Sequence, residues 1–255
     1  MNAQVRRLLM IGGAVFAVAM ILHIPAGPAF GWAGLNRQIA MQGVAGTIWS
    51  GSASAASING PANGSKRGVY LGRLRWQFQP LSLFLGRLEY LVEADGPTIA
   101  GLRGRISPAS GGAVRLVATR GRARIDAVAP LLSVPMLGGL SGTVDFELDH
   151  VVLNGNEGGG WPERADGRLQ LRTVSVPLLG SDSLGDFDLS FHTEQATGDV
   201  QVEYADTQSG PLALQGTATL RADGSLDREC ESRARAGAST SLAQAAPLIC
   251  SNDFF

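Results

Sequence analysis

Apolar and polar residues alternate along most of this chain. Leu74, Trp76 and Phe78 alternate with Arg73, Arg75, Gln77 and Gln79, and Leu88, Tyr90, Val92 and Ala94 with Arg87, Glu89 and Glu93. The same period of two runs through Val144, Phe146, Leu148, His150 and Val152, through Leu169 and Leu171, and through Val200 and Val202. Each run has one apolar and one polar face, which predicts antiparallel strands with one solvated side. Asp95-Gly96, Asn154-Gly155 and Asp223-Gly224 punctuate the runs with hairpin chemistry. Only short helical turns are expected within this region, at Pro80–Leu85 and around Ala127–Leu132.

The N-terminus has a different pattern. Leu8 to Ile24 carries no formal charge, follows Arg6 and Arg7, and precedes Pro25, Pro28, Phe30 and Trp32. A bilayer core of about 30 Å needs about 20 helical residues. Leu8 to Pro28 therefore predicts an uncleaved transmembrane helix with a cytoplasmic N-terminus. Phe30 and Trp32 suit the opposite interface, and a cleaved signal peptide is the competing reading. The fold expected is mainly β: the helix, then a large, curled, mostly antiparallel sheet built as a sandwich or an open roll. The boundaries expected are a cytoplasmic tail over 1–7, an anchor over 8–28 and a periplasmic linker over 29–45. A β domain over 46–229 and a C-terminal tail over 230–255 follow. Trp49, Trp76, Phe78, Phe84 and Tyr90 are expected in the core.

Composition narrows the function classes. Charged residues are 17% of the chain and glycines number 34, which argues against a disordered chain and against long helices. A net charge of −1 gives no bulk reason to bind nucleic acid. Charge is nonetheless segregated. Six arginines and no acid lie from Arg103 to Arg124, and seven acids without Lys or Arg lie from Thr173 to Leu220. Arg120, Arg122 and Arg124 would share one strand face. That face is either simply solvated or a site for an anionic partner, such as lipid headgroups or an acidic protein surface.

Catalytic constellations are missing. Lys66 is the only lysine and has no P-loop around it. No G-x-S-x-G elbow is present. His23, His150 and His192 lack the neighbours a triad needs. Asp182, Asp186 and Asp188 have no calcium-loop pattern. No enzymatic activity, cofactor or metal is expected. Cys230 and Cys250 are a disulfide candidate in an oxidising compartment.

One segment points to a family. Gly46-Thr47-Ile48-Trp49-Ser50-Gly51 lies shortly after the N-terminal apolar run, and Trp76-Gln77-Phe78-Gln79-Pro80 and Gly86-Arg87-Leu88 follow. Together with Val176-Pro177-Leu178-Leu179-Gly180 and Ser209-Gly210-Pro211, this resembles the type II secretion system protein N family. The family-motif residues are Gly46, Thr47, Trp49, Gly51, Trp76, Pro80 and Gly86. The resemblance implies an accessory inner-membrane component with a periplasmic β domain. Its partners would be the inner-membrane platform, the secretin or the pseudopilus. The competing expectation is a lipid-binding or lipid-transfer protein of the AsmA-like group, marked by an open aliphatic groove instead of a filled core.

Overall fold

The structure is a computed structural model and describes residues 3–32, 39–58, 69–109, 113–128, 140–153, 162–176, 183–221 and 225–250. Helix α1 runs Ala3–Leu22 and α2 Ala26–Trp32. Thirteen strands follow: β1 Ile39–Gln42, β2 Ala45–Gly46, β3 Ser50–Ile58, β4 Val69–Phe78, β5 Tyr90–Asp95, β6 Ile99–Pro108 and β7 Val114–Arg124. After the short α3, Ile125–Val128, come β8 Ser141–Leu153, β9 Arg164–Ser175, β10 Ser183–Thr193, β11 Val200–Asp206, β12 Leu212–Leu220 and β13 Leu226–Ala234. Helix α4, Thr240–Ile249, closes the described chain.

All the strands belong to one antiparallel sheet, and from β3 onward each pairs with the next in the chain. This excludes the sandwich and leaves a single open sheet. Strands β1 and β2 share one edge of β3: Ile39–Gln42 face Ala55–Ile58, and Ala45 and Gly46 face Ser52 and Gly51. Register shifts interrupt four of the pairings, β3–β4, β6–β7, β8–β9 and β9–β10. Such bulges bend a strand and increase its twist, so they coil the sheet.

Two of the expected boundaries move. Ile39–Gln42, placed in a linker by its sequence, is paired strand, and β13 runs past residue 229 to Ala234. In both cases backbone pairing to a neighbour overrides weak local patterning.

The core is unevenly distributed along the strands. Val69 and Leu71 open β4, Ala94 lies near the end of β5, and Ile99 opens β6. Ala123 and Val174 lie near the ends of β7 and β9, and Leu212 opens β12. Antiparallel alternation brings these positions to the same end of the sheet. Leu242 and Ala246 of α4 complete the cluster there, so we call it the α4 end. A smaller cluster of Ala26, Ala53 and Trp76 sits toward the other end, beside α2.

The expected uninterrupted helix from Leu8 to Pro28 is broken. Helix α1 stops at Leu22, the His23 ring donates back to the Ala19 carbonyl at 2.8 Å, and Pro25 forms a bridge with Thr47. Proline has no N–H to continue a helix and disfavours helical geometry in the residue before it. Among the described residues, no helix is long and apolar enough to cross a membrane. Phe30 does not point to an interface either: it packs on Trp76.

Candidate functional site: a clip between the N-terminal helices and the sheet

The segment Gly46–Gly51 is a tight connection between β2 and β3. Gly46 has φ +96°, and a Cβ there would lie 2.5 Å from the Ser50 carbonyl oxygen, so only glycine fits. Thr47 organises the turn. Its N–H donates to Ser50 O at 2.9 Å, and its Oγ1 accepts from the N–H groups of Trp49 and Ser50 at 3.3 and 3.2 Å. Threonine replaces missing backbone partners in such turns.

The turn presents groups to the preceding helices. Ile48 N–H donates to Ile24 O at 3.1 Å. The Trp49 indole N–H donates to Ile21 O at 2.8 Å. Ile21 is in the last turn of α1, where its carbonyl also accepts weakly from the Ile24 N–H at 3.4 Å. Trp49 thus caps α1 from outside. Its ring packs edge-on against Phe78 of β4, with centroids 5.0 Å apart. Trp49 is half-buried and lies outside the core clusters, in contrast to the core position expected for it.

A second tryptophan completes the clip from β4. The Trp76 indole N–H donates to Thr47 O at 3.1 Å, and the ring, 7% exposed, meets Phe30 of α2 at 5.3 Å and 89°. Gly51 makes room for it: a Cβ there would approach Trp76 Cζ2 to 2.4 Å. The two tryptophans therefore hold α1, α2, the β2–β3 turn and β4 together.

Pro80 and Gly86 frame the β4–β5 connection beside the clip. Pro80 opens a 3-10 turn over Pro80–Leu85, and Gly86 closes it at φ +68°, donating to Leu83 O. Buried Ser82 ties the turn shut, donating to Gln79 O at 2.6 Å and to Arg87 O at 2.9 Å. The apolar residues of this turn face outward. Phe84, expected in the core, is 87% exposed. The turn leaves the sheet, so the strand alternation that would bury Phe84 does not reach it.

Arg120, Arg122 and Arg124 do share the exposed face of β7. Two of them are already engaged. Arg122 makes a two-pronged pair with Asp145 at 2.6 and 3.2 Å, and Arg124 makes another with Asp126. Arg124 holds the Asp126 carboxyl below its usual range. Arg120 stands opposite Glu147 in the ladder. The basic run in the sequence thus meets acids across strands. Asp186 of the acidic run is likewise partnered, accepting from the Thr173 N–H at 2.7 Å and pairing with Arg172. Asp182 lies outside the described residues, and among those described no three metal-ligating side chains gather.

Cys230 on β13 and Cys250 after α4 are joined, with Cα atoms 5.4 Å apart. Near them, Ser232 Oγ donates to Ala246 O, which fastens α4 along β13. At the same end, Arg235 pairs with Asp206 and donates to Gly210 O at 2.8 Å. Burial would raise the Asp206 carboxyl, but Arg235 and the N–H groups of Gln208 and Leu214 hold it below its usual range.

Two cavities, about 590 and 370 Å³, lie on the polar face of the sheet. The larger is lined by Arg73, Arg75, Glu93, Asp95 and Arg103, the smaller by Arg105, Arg120, Glu147 and Asp149. Neither is an aliphatic groove.

Fold and clip together define a β scaffold, one long meandering sheet clamped at one end to an N-terminal pair of helices. A family model for the type II secretion system (T2SS), protein N matches residues 37–253, every strand included, and the chain belongs to that family. It is thus a component of the type II secretion system, and membership implies interaction with other components of that system. No curated protein and no solved structure matches it.

Proposed function

We propose that this chain is an accessory inner-membrane component of the type II secretion system that works by binding its partners and not by turning over a substrate. Residues 8–28 carry the anchor and 1–7 its cytoplasmic tail. The periplasmic sheet runs from Ile39 to Ala234, and α4 beyond it is fastened by the Cys230–Cys250 bond. The partners are the inner-membrane platform, the secretin or the pseudopilus.

The observation that carries this reading is the clip. The family-motif residues Gly46, Thr47, Trp49, Gly51 and Trp76 converge on the exit of α1. Helix α1 itself shows Met10, Val15, Phe16, Met20 and Leu22 to solvent. A helix apolar on all sides needs an apolar environment around it. Arg6 and Arg7 precede that stretch and set its orientation.

A deletion strain tests the role. Folded exoproteins retained in the periplasm, together with co-purification of the chain with secretion components, are the expected result. Normal export with altered outer-membrane permeability would instead indicate lipid traffic and overturn the proposal.

A further inference from the structure

Outside α1, the large apolar side chains exposed among the described residues are not scattered. Leu81, Leu83, Phe84, Leu85 and Leu88 occupy the β4–β5 connection. Val114 opens β7, Leu153 ends β8 and Leu226 opens β13. Antiparallel alternation puts all eight at the end of the sheet opposite α4. Tyr70, at the α4 end, is the exception.

Helix α1 emerges at the same end. Trp49 bonds Ile21 O and packs on Phe78, Phe78 packs on Tyr90 at 5.5 Å, and the 3-10 turn lies between Phe78 and Tyr90 in the chain. One continuous set of contacts thus connects the last turn of the apolar helix to the base of the apolar tip. The tip is rigid, because Ser82 bonds both of its flanks. It is also strongly exposed: Leu81 is 76% and Leu85 74% accessible. Monomeric soluble proteins rarely present apolar clusters of this kind without a partner.

Charge at this end is mixed: Arg87 is exposed in the β4–β5 connection, while Glu163 before β9 and Glu194 after β10 have no arginine partner among the described residues. Burial, then the charges of Arg164, Arg115 and Arg87, push the His150 imidazole below its usual range against the opposing charge of Asp166, which is paired with Arg164. Arg115 keeps its Nε buried with no hydrogen-bond partner among the described residues. The acids Glu89, Asp166 and Asp227 at this end are each paired with an arginine.

We infer that this end of the sheet is a membrane-contact surface. The Leu81–Leu88 tip inserts into the outer leaflet beside α1, and the exposed Arg87 meets anionic headgroups. The occupant is the lipid bilayer surface. Apolar side chains flanked by arginine match the boundary between acyl chains and headgroups, and the helix that shares this end has the same apolar requirement. The inference rests on the anchor reading, which fixes the end of the sheet that faces the membrane. The sheet then stands upright on the bilayer with the α4 end outermost.

The test uses the full chain in vesicles of phosphatidylethanolamine and phosphatidylglycerol, with the photo-crosslinker p-benzoylphenylalanine at position 84 or, separately, at position 70. The expected result is several-fold more lipid adduct from position 84 than from position 70, reduced by the Arg87→Glu variant. Equal adduct at the two positions, or adduct at 84 to protein alone, overturns the inference. Resistance to carbonate extraction reports the anchor separately. A chain that resists extraction but gives no lipid adduct at 84 refutes the contact surface and leaves the anchor standing. A chain that is extracted refutes both unless position 84 still captures lipid, an outcome that supports the surface alone.

Discussion

At the scale of single residues, the clip separates two roles within one motif. Trp76 is buried and Trp49 is not, although both donate an indole N–H to a backbone carbonyl. Trp76→Ala should cost about 3–5 kcal/mol, as for other large-to-small changes in a core. Trp49→Phe is the milder change: it keeps a ring against Phe78 and removes the donor to Ile21 O. It should cost about 0.5–1.5 kcal/mol and speed amide exchange in the last turn of α1. Unchanged exchange there would contradict the cap. His150 offers a separate handle. Burial and neighbouring arginines lower its pKa in the folded state, so the unfolded chain takes up the proton first as pH falls. Stability contributed by neutral His150 is therefore present above the ordinary histidine value of about 6.5 and is lost as pH drops below it. Urea midpoints of the detergent-solubilised chain should fall more steeply from pH 7 to pH 5 than those of His150→Gln. Parallel curves would refute the assignment. Loss at lower pH has another origin, since Asp206 and Asp166 are held below the usual carboxylate range and lose their contribution only on protonation.

At the scale of elements, α4 depends on two attachments to β13, the Ser232–Ala246 hydrogen bond and the Cys230–Cys250 link. The link closes a 20-residue separation, and a loop of that size stabilises by roughly 3 kcal/mol through the unfolded chain. Replacing both cysteines with serine should lower the melting temperature and expose α4 to proteolysis. Full thiol labelling of the untreated native chain would show that the bond does not form. The legibility of these elements in the sequence follows from their environments. Strands β4, β5, β8, β9 and β11 alternate clearly because each has neighbours on both sides and one covered face. Strand β3 hides because Ser50–Ile58 is built mainly from serine and alanine, which fit under Trp76 and the bulge but carry little strand propensity. Strand β13 hides for another reason: Asp227, Arg228, Glu229, Glu231 and Arg233 give it charge on both sides. Charge of that kind on an edge strand blocks pairing with a second copy. Helix α4, with a proline inside it, has no sequence pattern that separates it from a tail; it forms because Leu242 and Ala246 are taken into the core. The motif residues were identifiable from their family resemblance, but their common task was not. Ile21 and Ile24, which receive the clip, look in sequence like parts of an uninterrupted apolar segment, and Phe30 like an interfacial residue beyond it.

At the scale of the whole molecule, one apolar cluster runs from Ala56 of β3 to Ala246 of α4, and it shares Met41 and Leu74 with the cluster around Trp76. Shared packing couples the clip to the main core. Unfolding should therefore be a single event. Tryptophan fluorescence, which reports the clip, and far-UV circular dichroism, which reports the strands, should trace coincident denaturation curves. A separate early fluorescence change would mean that the clip opens on its own. The meander has a further consequence for biogenesis. From β3 onward every strand finds its partner in the segment just before it. A chain threaded N-terminus first through a translocation pore can thus add each strand to an edge that already exists. No strand has to wait for a distant one, and the growing edge is exposed for only one hairpin at a time. Helix α4 with Cys250, which emerges after β13, fastens to that edge strand.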